Sequence, residues 1–278
     1  MSLAEAKFLL TKYGIEPDAS CGQHFLVDDS ILDRIARAVS ENAEGPIIEI
    51  GAGIGNLTSR LCLETRSVLA VELDRRFQPL LDKLAQVNAN LSVLYRDILS
   101  LPFDTIREHM KLTASAHPYM IVGNVPYYIT GKLLSHIMSY PILPTSVIFL
   151  LQDEVVRRIV AEPGAHSKLS LGVQFYGTPE VLFEVPRDCF YPKPEVDSAL
   201  LRIANMHSWN YDESEKRVWQ LVNIGFSAKR KKLVNNLAGG LAVSAATVRE
   251  AFTKAGIDRD IRAQGLSKAQ WRSLAQLL

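Results

Sequence analysis

The stretch Ile47-Ile48-Glu49-Ile50-Gly51-Ala52-Gly53-Ile54-Gly55-Asn56 decides how the chain folds. A short β-branched run passes directly into glycines at every second position. Glycine lets the backbone turn tightly and lets a ligand approach it closely. The pattern predicts a strand, a turn and a helix in that order, the opening of a βαβ unit.

The same rhythm continues on both sides. Apolar, β-rich runs recur at residues 67–73, 91–95, 119–122 and 146–151, with amphipathic segments such as 77–85 between them. Short strands that are almost wholly apolar predict a parallel sheet covered on both faces. Two further runs, 180–185 and 196–203, are joined by a Pro-rich stretch instead of a helix, so they should form an antiparallel pair closing the sheet. A helix over 30–39 precedes it. After Met206 no strand-like run remains, and helices are expected over 212–226, 229–237, 244–255 and 267–278, separated by Gly239-Gly240 and by Gly256. Ser267 and Gln270 have the spacing of a capping box. The fold expected is therefore α/β, a Rossmann-like sheet that is mostly parallel with its last strand antiparallel. It occupies residues 1–205, and a small all-helical domain occupies 206–278.

Composition narrows the function. The chain has 278 residues, 47% hydrophobic and 22% charged, an ordinary globular balance. No apolar run reaches the roughly 18–20 residues of a membrane helix, and Met1–Pro17 does not read as a secretory leader. Three scattered cysteines, Cys21, Cys62 and Cys189, argue against a disulfide framework and against a zinc site. A cytoplasmic protein without a metal is expected. The net charge of +1 hides an asymmetry: 19 Lys and Arg against 24 Asp and Glu up to residue 205, but 12 against 6 beyond it. A basic tail domain points to nucleic acid, although small helical domains are also basic by chance.

The glycine turn alone would suit NAD, a flavin, S-adenosylmethionine or only a tight connection. Three carboxylates narrow the choice. Glu72 ends the next strand, where it can accept from two ribose hydroxyls. Asp97 ends the third, within reach of an adenine amino group. Glu49 stands just ahead of the glycines, where negative charge suits a sulfonium and an ammonium. The spacing is G-x-G-x-G, not the G-x-G-x-x-G that seats a pyrophosphate, so a cofactor without phosphates fits. Singly, each acid is more often a solvated strand end.

The fourth strand delivers Gly123-Asn124-Val125-Pro126-Tyr127-Tyr128. An exocyclic adenine amine is a poor nucleophile because its lone pair is delocalised into the ring. The Asn124 side-chain oxygen and the Val125 carbonyl can accept its hydrogens and localise that pair. Pro126 fixes the turn without a competing N–H, and Tyr127 can stack on the base. Phe190, in Phe190-Tyr191-Pro192-Lys193-Pro194, can press on the other face of the base, or the segment is simply a rigid connection. Lys229-Arg230-Lys231-Lys232, opening a helix, can neutralise phosphates, with Arg157, Arg158 and Lys168 adding to the track. The same run would equally serve as a solvated helix face.

With these residues in place, the chain resembles the KsgA/RsmA-type ribosomal RNA adenine dimethyltransferases, relatives of the Erm methylases and of eukaryotic Dim1. The resemblance spans nearly the whole chain, through Gly22-Gln-His-Phe-Leu26, Glu49–Thr58, Val71-Glu-Leu-Asp74, Asp97-Ile98, Asn124-Val-Pro-Tyr127, Gln152–Val155, Phe190–Ala199 and Phe226–Leu237. It implies a class I S-adenosylmethionine-dependent sheet, with S-adenosylhomocysteine as product. It implies donor contacts at His24, Leu26, Gly51, Glu72, Asp97 and Asn124, with Gly53, Leu73 and Ile98 beside them in the same motifs. It further implies N6,N6-dimethylation of two adjacent adenosines in a 16S ribosomal RNA hairpin loop, and a part in small-subunit maturation; a monomer is expected. His24 departs from the Asn usual in bacterial members, so its ring is expected to meet the donor's carboxylate and to make binding pH-sensitive. Ala19-Ser20-Cys21 is less basic than in relatives. The rival readings are an Erm-type 23S enzyme, a DNA adenine methyltransferase and a non-catalytic assembly factor. The last 73 residues leave little room for a DNA-recognition domain.

Overall fold

The computed structural model describes residues 2–18, 22–112, 118–126, 129–209 and 213–278. It divides into two compact units, residues 1–156 with 178–206, and residues 157–177 with 207–278. The change of character at residue 206 is a boundary, but a contiguous 1–205 domain is not what forms. Residues 157–177 belong to the helical unit because they bond within it. Gly164 and His166 donate from their amides to the Gln264 carbonyl, and the Phe175 ring stacks on Trp209 at 4.7 Å.

Strands of the first unit are β1 (Phe25–Leu26), β2 (Ile47–Ile50), β3 (Val68–Glu72), β4 (Leu91–Tyr95), β5 (Met120–Asn124), β6 (Ser146–Gln152), β7 (Thr178–Val185), β8 (Phe190–Tyr191) and β9 (Ser198–Ala204). Seven of them form one sheet in the order β4-β3-β2-β5-β6-β9-β7. The five from β4 to β6 run parallel, and β9 and β7 pair antiparallel, as expected. Ile47 and Ile48, adjacent and so on opposite faces, are both fully buried, as are Leu69, Ala70, Ile148 and Phe149. Burial of both faces is what the continuous apolar runs encode.

The helices, among the described residues, are α1 (Leu3–Lys12), α2 (Asp29–Ser40), α3 (Asn56–Glu64), α4 (Gln78–Val87), α5 (Phe103–His109), α6 (Thr130–Met138), α7 (Asp153–Ile159), α8 (Lys168–Gln174), α9 (Glu213–Gly225), α10 (Leu233–Leu241), α11 (Ala245–Lys254) and α12 (Lys268–Leu277). The sheet order reverses direction between β2 and β5, and ligands of open α/β sheets bind at that switch, beyond the carboxyl ends of the strands.

Two expectations for the helical unit need correction. Residues 229–232 do not open a helix: they lie in the connection after α9, and α10 begins at Leu233. The buried Asn236 amide closes that connection from within, donating to the carbonyls of Gly225 (2.7 Å) and Ala228 (3.1 Å). Gly239-Gly240 is not a separator either. α10 runs through both glycines and stops at Ala242, which is left-handed at φ 56°. A Cβ at Gly240 would meet Ile224 at 2.3 Å, so the glycine serves close packing of α10 on α9. The capping box on α12 forms: Gln270 N–H donates to Ser267 Oγ (3.2 Å) and Ser267 N–H to Gln270 Oε1 (3.0 Å).

Gly225 ends α9 against the fully buried Trp271, where a Cβ would stand 2.6 Å from the indole and 2.8 Å from Leu233. Gly225→Ala is expected to destabilise the protein by about 1–3 kcal/mol through overpacking. Urea unfolding measures it, and an unchanged midpoint would show that the indole moves aside freely.

Candidate functional site

β2 ends in a turn in which Gly51, Gly53 and Gly55 take φ of 77°, 53° and 81°, a region that favours glycine. Glu72, at the end of neighbouring β3, fastens this turn. Its Oε2 accepts from the Gly53 amide at 2.7 Å, and its Oε1 accepts from the Asp74 amide at 2.8 Å. Each carboxylate oxygen has a second lone pair for another donor. Beside the turn lies a cavity of ≈ 340 Å³ whose lining includes Glu49, Gly53, Glu72, Leu73 and Asn124.

A strap, residues 22–27, forms another wall. Its short strand β1 pairs antiparallel with β8, Phe25 opposite Tyr191 and Leu26 opposite Phe190, and the Val27 amide donates to the Cys189 carbonyl at 2.8 Å. Gln23 Nε2 donates to Asp74 Oδ2 at 2.8 Å, so the strap is tied to the segment that Glu72 holds. Two asparagines of the cleft turn their amino groups toward the strap. Asn124 Nδ2 donates to the His24 carbonyl at 2.8 Å, and Asn56 Nδ2 to the Leu26 carbonyl at 2.7 Å. That fixes which end of each carboxamide is left as acceptor. His24 Nδ1 donates to the Pro192 carbonyl at 2.8 Å.

The cleft is an electrostatically expectant place. Glu49 is 1% exposed, and among the described residues neither its Oε2 nor Asn56 Oδ1 has a hydrogen-bond partner. Burial pushes the Glu49 carboxyl up to about 7, with the Thr58 hydroxyl opposing the rise and Glu72 adding to it. Burial also raises Glu72, against the bonds from Asp74 and Gly53. Two buried acceptors without donors suit a ligand that brings N–H groups and positive charge.

Of the residues expected from sequence, the fold brings His24, Leu26, Glu49, Gly51, Gly53, Glu72, Leu73, Asn124 and Pro126 to this one cavity. Val125 follows them with its side chain buried. Asp97 and Ile98 are not in the lining: Asp97 Oδ1 accepts from the Leu99 amide and caps a short 3₁₀ turn, and Ile98 is buried. Phe190 is also elsewhere, 4% exposed in the core beneath the strap, which fits its reading as part of a rigid connection. Tyr127 lies outside the described residues. Sequence reasoning missed Gln23, Asn56, Asp74 and Phe77 as parts of the site, although the first three stand inside motifs that it quoted.

In the helical unit Lys229, Arg230 and Lys231 are exposed on the connection after α9. Lys232 caps α10 and pairs with Asp260 at 2.7 Å. Arg157, Arg158 and Lys168 are exposed in the same unit. No helix of the described residues is long and apolar enough to cross a membrane.

Comparison with known proteins follows the same lines. Residues 17–278 match the family described as ribosomal RNA adenine dimethylase. The chain is 34% identical over 274 residues to the ribosomal RNA small subunit methyltransferase A of Dehalococcoides mccartyi, covering 98% of this chain and 92% of that one. It is 36% identical over 269 residues to the same-named protein of Desulfitobacterium hafniense, covering 96% and 94%. Among solved structures it resembles the 23S rRNA methyltransferase ErmE, with TM-score 0.71 and 25% identity over 91% of this chain and 99% of that one. A dimethyladenosine transferase from Plasmodium falciparum shares the fold, with TM-score 0.69 and 22% identity over 90% and 95%.

Glu49 generates a pH prediction. Raised to about 7, its carboxyl keeps in the folded chain a proton that the unfolded chain releases near the ordinary glutamate value. This group's contribution to stability is therefore greatest in acid and is lost as pH climbs through 7. Glu49→Gln removes the dependence, so between pH 5 and 8 the variant should gain on wild type by on the order of 2–3 kcal/mol. Urea unfolding at both pH values checks it, and parallel stability curves would contradict it.

Proposed function

We propose, because this chain belongs to the ribosomal RNA adenine dimethylase family, that it methylates N6 of adenines in small-subunit ribosomal RNA from S-adenosylmethionine. The observation that carries this reading is the cleft itself: a carboxamide oriented by the strap, beside two buried acceptors that lack donors. The donor, when bound, supplies an electrophilic methyl on a sulfonium. Glu72 would accept from its ribose hydroxyls with the lone pairs left over from Gly53 and Asp74. Leu73, 64% exposed at the cavity, offers an apolar face to its adenine. Glu49 and Asn56 would take its ammonium hydrogens. The resemblance extends this set to Asp97 and Ile98.

The target amine would meet Asn124 Oδ1 and the Val125 carbonyl. As the N6–methyl bond forms and the sulfur–methyl bond breaks, those acceptors keep the lone pair out of the ring, and the extra proton on N6 passes to solvent. The site supplies position and polarity, and no strong base is needed. Pro126 and Tyr127 would seat the base, which must leave its stack and so comes from a loop or an exposed strand. We assign the two adjacent adenosines of a 16S hairpin, with four methyls in all. Lys229, Arg230 and Lys231 would hold phosphates, with Lys232, Arg157, Arg158 and Lys168 as further contacts. The acting form in this reading is a cytoplasmic monomer.

The likeness to ErmE keeps a 23S substrate as the second reading. The relatives at 34% and 36% identity, named for the small subunit, favour the first. Labelled donor should mark RNA in immature small subunits, and neither large subunits nor DNA. Asn124→Ala should slow that transfer by at least about 100-fold, the scale of losing one preorganised transition-state partner. Label confined to large subunits would move the assignment to 23S RNA. Replacing Lys229, Arg230 and Lys231 with Ala should lower the slope of log affinity against log salt by about 2–3. An unchanged slope would remove that connection from the interface.

A further inference from the structure

We propose that His24 is a positioning residue for methyl transfer: its imidazole clamps the strap to Pro192, and the strap's carbonyl at residue 24 fixes the Asn124 carboxamide. The inference rests on the Asn124 role above and names what enforces it.

A carboxamide has two unlike ends. With Oδ1 toward the target amine it accepts a hydrogen, and turned by 180° it would set two donors against each other. What selects the productive orientation is the bond from Asn124 Nδ2 to the His24 carbonyl. That carbonyl is available for a geometric reason. In an antiparallel pair, backbone groups point alternately toward the partner and away from it. Val27 faces β8, donating to Cys189, so the carbonyls of residues 24 and 26 turn the other way. Each holds one carboxamide of the cleft.

The same alternation leaves residue 24 without a backbone bond to the opposing segment. The register, 26 opposite 190 and 25 opposite 191, places 192 opposite 24. The imidazole fills this gap, Nδ1–H donating to the Pro192 carbonyl at 2.8 Å. A ladder of two residue pairs is weak by itself, and this side-chain bond secures it at the residue that orients Asn124. On the other side Gly22, at φ 68°, lets the strap lie against Pro126, where a Cβ would come within 3.0 Å. The strap is thus held against Pro126 and to Pro192 around one carbonyl.

This role differs testably from a donor contact by the same ring. With Nδ1–H engaged, a neutral imidazole has only an acceptor left at Nε2, and only the cationic ring could donate to a carboxylate there. The bond to Pro192 persists in either state. Full-length wild type, His24→Ala and His24→Asn are compared with small-subunit RNA at saturating donor from pH 6 to 8.5, with S-adenosylhomocysteine affinity measured by calorimetry. His24→Ala should lower kcat at least about tenfold at every pH, while S-adenosylhomocysteine affinity changes less than about threefold. His24→Asn keeps a donor for the same carbonyl and should recover most of the rate. The Asn124 carboxamide NMR signal, assigned by its loss in Asn124→Ala, should move in His24→Ala and return in His24→Asn. If His24→Ala melts far below wild type, His24→Met, similar in bulk and without a donor, replaces it. Normal kcat with weakened S-adenosylhomocysteine binding, or an unmoved Asn124 signal, overturns the inference. A wild type that methylates nothing, or is indifferent to Asn124→Ala, would instead overturn the function on which it rests.

Discussion

One buried carboxylate holds the cleft in shape. Glu72 uses one oxygen on the Gly53 amide and the other on the Asp74 amide. The first bond pins a turn that three left-handed glycines would otherwise leave loose. The second fixes the segment to which Gln23 ties the strap. Burying a carboxylate is costly unless its oxygens are bonded, and here charge-assisted bonds from two backbone amides offset that cost. The strap in turn orients Asn124 and Asn56. The glycine turn, the strap and the Asn124 carboxamide are therefore successive links from one side chain.

Much of this was legible in the sequence, for identifiable reasons. Strands buried on both faces leave unbroken apolar runs, so residues 47–50, 68–72 and 146–152 stand out. Glycines at every second position mark a turn that other residues adopt poorly. Residues that converge from the carboxyl ends of parallel strands, such as Glu49, Glu72 and Asn124, can be placed together once the strands are known. The strap could not be placed this way. A two-residue strand has no period to detect, and its pairings with residues 190 and 191 span 164 and 166 positions. Asn56 was passed over because its role depends on the Leu26 carbonyl, which only the fold brings near.

The misplaced features share one cause, tertiary contact overriding local pattern. Lys229–Lys232 has good helix formers, yet the chain there is shaped by Asn236 reaching back to two carbonyls of the connection. Gly239 and Gly240 read as a break, but the helix runs through both, and at Gly240 a neighbouring Ile224 leaves no room for a Cβ. Residues 157–177 look like part of the α/β sequence, and join the helical unit through bonds to residues about 100 positions away.

Why the cleft tolerates orphaned acceptors follows from its chemistry. An unpaired buried acceptor costs on the order of 1–3 kcal/mol, and Glu49 Oε2 and Asn56 Oδ1 both bear that cost. A cationic donor can recover it on binding, and its neutral product, retaining the ammonium but not the sulfonium charge, recovers less of the charge term. The same arrangement discourages a neutral ligand of similar shape. Asn124 is a different case, since its Nδ2 already donates to the His24 carbonyl. In the proposed reading, buried charge holds the donor, while the carboxamide facing the base is held in place by an ordinary hydrogen bond to a backbone carbonyl. A neutral carboxamide can serve there because the reaction asks it to accept hydrogens in one direction, and not to take a proton.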